Sequence, residues 1–175
     1  MRAFEPKSRL RSSKMKAVNY FKLQAKNLHQ DINSQFFDEN SSAFDYHARF
    51  FELNSLVVDY SLDESDPKFK TLGKAQWIIS IILGLHSWGE LIHSDETTLE
   101  LYKLMFEHQN EIPPYEWDDI FDLIDSDGNP IPDALPTTTD KIEFFKIQLK
   151  ILDEPWAVQT NGAGYLKEIE GPGVN

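Results

Sequence analysis

Residues 73–94 read GKAQWIISIILGLHSWGELIHS, and the punctuation of this stretch decides the fold. From Trp77 to Leu85 it carries almost no polarity. As a helix, Leu72–Leu83 is apolar on nearly every side from Trp77 onward, which predicts the central buried element of the protein. Each large side chain of the run contributes roughly 1.5–3 kcal/mol on burial, and together they outweigh any other term in the sequence. Gly84 suits the left-handed residue that ends a helix, and Leu85 then packs back. Ser87 and Glu90 have the spacing of a capping box, so a short helix over 88–93 follows, held by Trp88 and Leu91. Ser94 is expected to cap the helix after it. The four isoleucines also permit a buried strand over 77–83 as an alternative.

Upstream, Val18, Phe21, Ala25, Leu28 and Ile32 recur every three or four residues, which predicts a helix from Lys16 with one apolar stripe. The turn formers of SQFFDENSS break it. Over 43–62, Phe44, Tyr46, Ala48 and Phe50 alternate with Asp45, His47 and Arg49, and SLVVDYSL is rich in β-branched residues. This predicts a small strand pair or hairpin, with a helix over 43–53 as the alternative. Downstream, Leu101, Tyr102 and Met105 form a helical stripe that Pro113-Pro114 stops. A short helix over 115–124 and a turn at Asp127–Pro130 come next. In DKIEFFKIQLKIL, residues Ile142, Phe145, Leu149 and Leu152 share a helical face, with Asp140 and Glu143 as cap and first-turn acid. Ile147, Leu149 and Ile151 also alternate, so the second half is open to a strand reading.

The fold class expected is therefore α+β and mostly α-helical: a compact helical core around a buried helix at 71–84, with a strand pair or hairpin at 43–62. The 175 residues are expected to divide into a basic flexible leader (1–14), one globular domain (15–155) and a loosely structured tail (156–175). A chain of this length buries roughly 70% of its unfolded surface. No apolar run approaches the ~20 residues of a membrane span, so no membrane association is expected, and the location expected is cytoplasmic.

FKLQAKNLHQD (21–31) followed by LGKAQWIISIILGLHSWGELIHS (72–94) resembles an uncharacterised bacterial helical module called glyoxalase-related. Its pattern runs K-x-x-A-K-x-L, then A-(Q)-x-x-[IL]-A-x-x-x-G-[FY]-x-x-W-x-x-L. Lys22, Ala25, Lys26, Leu28, Ala75, Gln76, Gly84, Leu85, Trp88 and Leu91 carry the resemblance over about residues 15–107. Ser80 stands where the pattern has Ala, and residues 110–175 match nothing in it. The resemblance implies a helical core without an established activity. It imports no glyoxalase chemistry, because the metal-binding barrel of that family is missing here.

The chemistry of the chain is largely negative. It contains no cysteine, which removes disulfides, thiolate nucleophiles and Cys-based metal sites. It has no Walker phosphate loop, HExxH or GxSxG; NGAGYLK offers only a GxG. No catalytic residue, metal ligand or cofactor is assigned. The five histidines are scattered, with His86 and His93 flanking Trp88. A pocket reading places Lys26, His86, Trp88 and His93 around a small molecule.

Charge is more informative. Residues 1–16 hold six Lys/Arg against one Glu, whereas the remaining chain holds 11 Lys/Arg against 28 Asp/Glu. An acidic body repels phosphates, so direct nucleic-acid binding is not expected except through residues 1–16. Glu116, Asp118, Asp119, Asp122, Asp125, Asp127 and Asp133 fall within nineteen residues that contain no base. Asp125, Asp127, Asn129 and Asp133 sit like the first, third, fifth and ninth positions of a calcium loop. Pro130 and Pro136 occupy its strict Gly and Glu positions and argue against it.

The leading expectation is a small bacterial binding or regulatory protein, of mobile-element or toxin-immunity type. It would offer the acidic face of Asp118, Asp119, Asp122, Asp125 and Asp127 to a basic protein partner. The alternatives are a small-molecule binder or enzyme with a pocket near Trp88, and an acidic nucleic-acid mimic. The exposed aromatics expected at Trp117 and Trp156 are candidates for an interface, and the oligomeric state is left open.

Overall fold

The computed structural model describes residues 7–154 and 164–167. Residues 1–6, Trp156 and most of the Gly-rich tail lie outside the described residues. The elements are α1 (Lys7–Ile32), β1 (Gln35–Asp38), β2 (Ala43–Tyr46), α2 (Leu53–Asp59), α3 (Leu72–Ile82) and α4 (Trp88–His93). They continue with α5 (Glu96–Glu107), a 3-10 turn (Pro114–Glu116), α6 (Trp117–Ile120) and α7 (Thr138–Leu152). The protein is a mostly helical α+β fold, as its periodicity predicts. α3 runs through Ile82, which excludes the buried strand over 77–83.

α1 begins at Lys7 rather than Lys16, so residues 7–14, read as part of a leader, continue the helix. Its buried apolar positions are Ala17, Phe21, Ala25, Leu28 and Ile32, one stripe at helical spacing that packs on α3 and α5. α3 answers with Ala75, Ile78, Ile79 and Ile82, and α5 with Leu99, Leu101, Met105 and Phe106. Phe106 is the centre of the aromatic packing. It meets Phe21 edge-on at 5.8 Å, Tyr20 at 6.2 Å and Phe51 at 6.4 Å. α3 is not apolar all round, however. Trp77 is half-buried, with the Lys74 ammonium 3.9 Å above its ring.

The punctuation after α3 follows the sequence closely. Gly84 has φ +74°, its N–H bonds Ile81 O at 3.0 Å, and the Leu85 N–H bonds Ser80 O at 3.0 Å. These two bonds form a Schellman ending, and Leu85 is buried behind it. Ser87 caps α4 by accepting the Glu90 N–H at 3.1 Å. The Glu90 carboxylate reaches one residue further than a reciprocal box, to the His86 N–H at 2.9 Å. The cap of α5 is Asp95 rather than Ser94. Asp95 accepts the Thr98 N–H and hydroxyl at 3.0 and 2.6 Å, while Ser94 donates back to Glu90 O and closes α4. α7 is helical throughout. Its capping box joins Thr137 to Asp140, so Asp140 is the third residue of the helix and not its cap.

The strand pair sits upstream of its expected place. β2 falls within 43–62, but its partner is QFFD, in the segment read as a break; they pair antiparallel with Phe37 opposite Phe44. The turn is ENSS (39–42) alone, where the carboxylate of Asp38, the last residue of β1, accepts the Asn40 and Ser41 N–H groups. SLVVDYSL is not a strand. Leu53 and Leu56, one turn apart, are buried, and this contact with the core overrides the β propensity of Val57 and Val58.

Two long-range joints close the fold. Asp31, near the end of α1, is 1% exposed, and its carboxylate accepts the N–H groups of Arg49, Phe50 and Phe51 at 2.9, 2.8 and 2.9 Å. The second joint is a strap, residues 164–167, from the stretch read as a loose tail. Leu166 bridges Phe51, the Glu52 N–H bonds Tyr165 O at 2.8 Å, and the Lys167 N–H bonds Phe50 O at 2.9 Å. On the strap's other side the Gln109 amide oxygen accepts the Tyr165 N–H at 2.8 Å and Asn110 donates to Leu166 O at 2.9 Å. The Tyr165 hydroxyl donates to Asp59 at 2.9 Å, and burial followed by that bond pushes it well above the ordinary tyrosine value. Gly164 is needed for close approach, since a Cβ there would overlap both Gln109 O and the Asn110 amide oxygen.

Asp31→Ala strands three N–H donors, that of Phe51 buried and the other two partly so, and is expected to cost about 3 kcal/mol in urea unfolding, with Asp31→Asn milder because one acceptor remains. Gly164→Ala is expected to cost about 1–3 kcal/mol by overpacking. Its signature is faster hydrogen exchange at the Glu52 and Lys167 amides, with the α3 amides unchanged.

Candidate functional site

The acidic segment begins where α5 ends. Ile112 is buried, Pro113 and Pro114 turn the chain, and the 3-10 turn feeds directly into α6. The helix expected over 115–124 is thus one short turn, not three. It is held by Trp117, which is 4% exposed and donates its indole N–H to Ile112 O at 2.8 Å. The expectation that Trp117 is a surface aromatic is therefore wrong. Tyr115, beside it, is the exposed one, at 69%. With Trp117 turned in, Asp118 and Asp119 are turned out to solvent, and Asp122 follows on the same segment.

Residues 123–131 form a small hairpin. Ile124 bridges Pro130, the Ile131 N–H bonds Leu123 O at 2.8 Å, and the Asp125 N–H bonds Asn129 O at 2.9 Å. Its turn closes from Gly128 N–H to Asp125 O at 3.1 Å, two residues earlier than the turn read at Asp127–Pro130. Gly128 has φ +82°, a conformation that glycine adopts without strain. The Asp125 carboxylate accepts the N–H groups of Asp127 and Asn129 at 2.9 Å each. These bonds, that of Asn129 first, hold its carboxyl below the usual value. Asp125 is therefore committed to its own turn. Among the described residues no three His, Asp or Glu side chains converge on a point that would hold a metal ion.

Two grooves flank the segment. One of about 380 Å³ lies between α6 and the end of α7; Ile112, Ile120, Ile151 and Leu152 line it together with Glu116 and Asp119. The other, about 430 Å³, lies between the small hairpin and the start of α7. There the Lys141 ammonium sits 5.3 Å from the Phe121 ring. The acidic segment also exposes apolar side chains: Ile124 is 63% exposed and Ile131 44%.

The residues of the pocket reading are placed differently. His86, Trp88 and His93 cluster around α4, with both histidines exposed and Trp88 half-buried against the core. His93 Nδ1 lies 2.8 Å from Gly89 O, an intrahelical contact. Lys26 is exposed on α1, and no hydrogen bond or ion pair among the described residues ties it to the histidines. Both grooves described above are lined by other side chains.

Charge counting finds Glu116 and Asp119 but not the apolar wall opposite them, Ile151 and Leu152, which comes from a helix about thirty residues away. One signal was present. The excess apolar residues that made the second half of α7 resemble a strand, Ile147 and Ile151, are the ones left on its surface. No helix among the described residues is long and apolar enough to cross a membrane. Comparison with family models, with curated proteins and with solved structures returns no match for this chain.

The folded-state depression of the Asp125 carboxyl fixes a sign. The stabilisation it gives the hairpin is present above the unfolded value of 3.8 and is lost as pH falls through the lower folded value. Amide protection at Asp127 and Asn129 is expected to hold at neutral pH and to drop below about pH 4. Asp125→Ala abolishes that step, and NMR hydrogen exchange checks both.

Proposed function

We propose that this protein is a binding or regulatory protein that presents the acidic face of residues 115–133 to a basic protein partner. The observation that carries the reading is that Asp118, Asp119 and Asp122 are exposed, and no ion pair among the described residues engages them. By contrast, Asp31, Asp38, Asp95 and Asp125 each accept backbone N–H groups and hold local structure together. Asp118 and Asp119 follow directly on Trp117, which is buried and hydrogen-bonded to Ile112 O.

Exposed charges of one sign contribute little to folding stability. Opposite charges on a partner speed encounter and set register. An acidic body with no base in this segment repels phosphates, so the partner is a protein rather than a nucleic acid. A toxin-immunity role fits this reading, since such a protein neutralises a basic surface by covering it. The resemblance of residues 15–107 to the glyoxalase-related helical module adds a helical frame to the proposal and no activity.

Affinity capture from native lysate at low and high salt tests the reading. The wild-type protein is expected to retain basic partners at low salt and release them at high salt. The Asp118→Lys, Asp119→Lys, Asp122→Lys triple variant is expected to lose them while keeping its melting temperature. Retention of the same partners by the triple variant sinks the proposal.

A further inference from the structure

We infer that the groove between α6 and α7 seats one large apolar side chain of the partner, carried on a segment whose flanking residues are Lys or Arg. This inference rests on the acidic-face reading and narrows it to a docking mode. The groove has an apolar floor: Ile112 is 3% exposed, Ile151 is 38% exposed, and Ile120 and Leu152 are half-buried. Its volume of about 380 Å³ is at the small end of the range for binding sites, roughly 300–1,000 Å³. That is room for one or two large side chains and not for the length of a helix.

Charge complementarity names the occupant. Glu116 and Asp119 line the same groove, and Asp118 and Asp122 lie beside them. A side chain entering the groove therefore brings its sequence neighbours against carboxylates. A neutral apolar segment leaves those carboxylates facing it without a counter-charge, and an acidic one is repelled. The two parts of the surface contribute differently. A desolvated apolar anchor supplies most of the affinity of an interface, while rim charges set on-rate and selectivity. Gln148 completes the lining, so the groove offers one uncharged polar group beside its apolar floor.

Three labelled pentapeptides test this by fluorescence anisotropy and NMR shift mapping on the full chain: Lys-Arg-Trp-Arg-Lys, the same with Gly for Trp, and Glu-Glu-Trp-Glu-Glu. The cationic Trp peptide is expected to bind about tenfold tighter than its Gly counterpart, a difference of about 1.4 kcal/mol. Shifts are expected at Ile112, Ile120, Ile151 and Leu152, and the Glu peptide is expected not to bind. Ile151→Asp removes the tenfold preference for Trp, and Ile151→Ala, which adds no charge, reduces it. Equal binding of the two cationic peptides overturns the groove inference while leaving the acidic-face reading standing. So do shifts confined to Asp118 and Asp122. Binding of the Glu peptide as tight as that of the cationic one overturns the groove inference as well. Absence of binding by both cationic peptides overturns the two together.

Discussion

The fold depends on one buried carboxylate. Asp31 stands near the C-terminal end of α1, where the helix dipole disfavours negative charge, and it is all but shut off from water. Burying an ionised group there costs several kcal/mol unless its lone pairs are filled. Three consecutive N–H groups, from Arg49, Phe50 and Phe51, fill them. Neither side has a better arrangement. The carboxylate needs the donors, and the 49–51 backbone enters the core with these donors unused by any regular element. Satisfying both fixes where the chain returns after the hairpin, and hence where Phe51 meets Phe106.

From that point order spreads through short polar links. Phe50 and Phe51 pair with the strap, and the strap leans on Gln109 and Asn110, in the turn just after α5. The Gln109 side chain is fully buried, with its amide nitrogen on Phe106 O at 2.8 Å and its oxygen on Tyr165 N–H. The same helix end thus carries the central aromatic residue on one side and a polar clamp on the other. Apolar packing supplies most of the stabilisation, but it is indifferent to register. The hydrogen-bonded joints choose which loop lies against which helix end.

The parts legible in the sequence were those whose cause is local. The stripe from Phe21 to Ile32, the Gly84 ending and the Ser87 cap each depend on residues within one or two turns, and each appears in the structure. Small errors arose where two neighbouring residues can both fill one position. Ser94 and Asp95 are both good caps, and the longer reach of the aspartate to both Thr98 groups decides between them. Larger errors arose where the cause is distant. Leu53–Asp59 became a helix because of what lies beneath Leu53 and Leu56, and Tyr165 is buried because of Gln109 and Asp59. At the candidate site the charges were legible. The groove beside them was not, because its two walls come from α6 and α7.

The strap also bears on how the chain acquires its shape during synthesis. Tyr165 reaches back across 106 residues to Asp59, and Lys167 across 119 to Ala48. A ribosome delivers residues in order, so α1, α3 and α5 emerge long before the segment that seals them. Until residues 164–167 clear the exit tunnel, the Glu52 amide and the Gln109 side-chain oxygen have only water as a partner. The nascent chain is then a largely formed helical core with one seam still wet, and residues 164–167 close that seam.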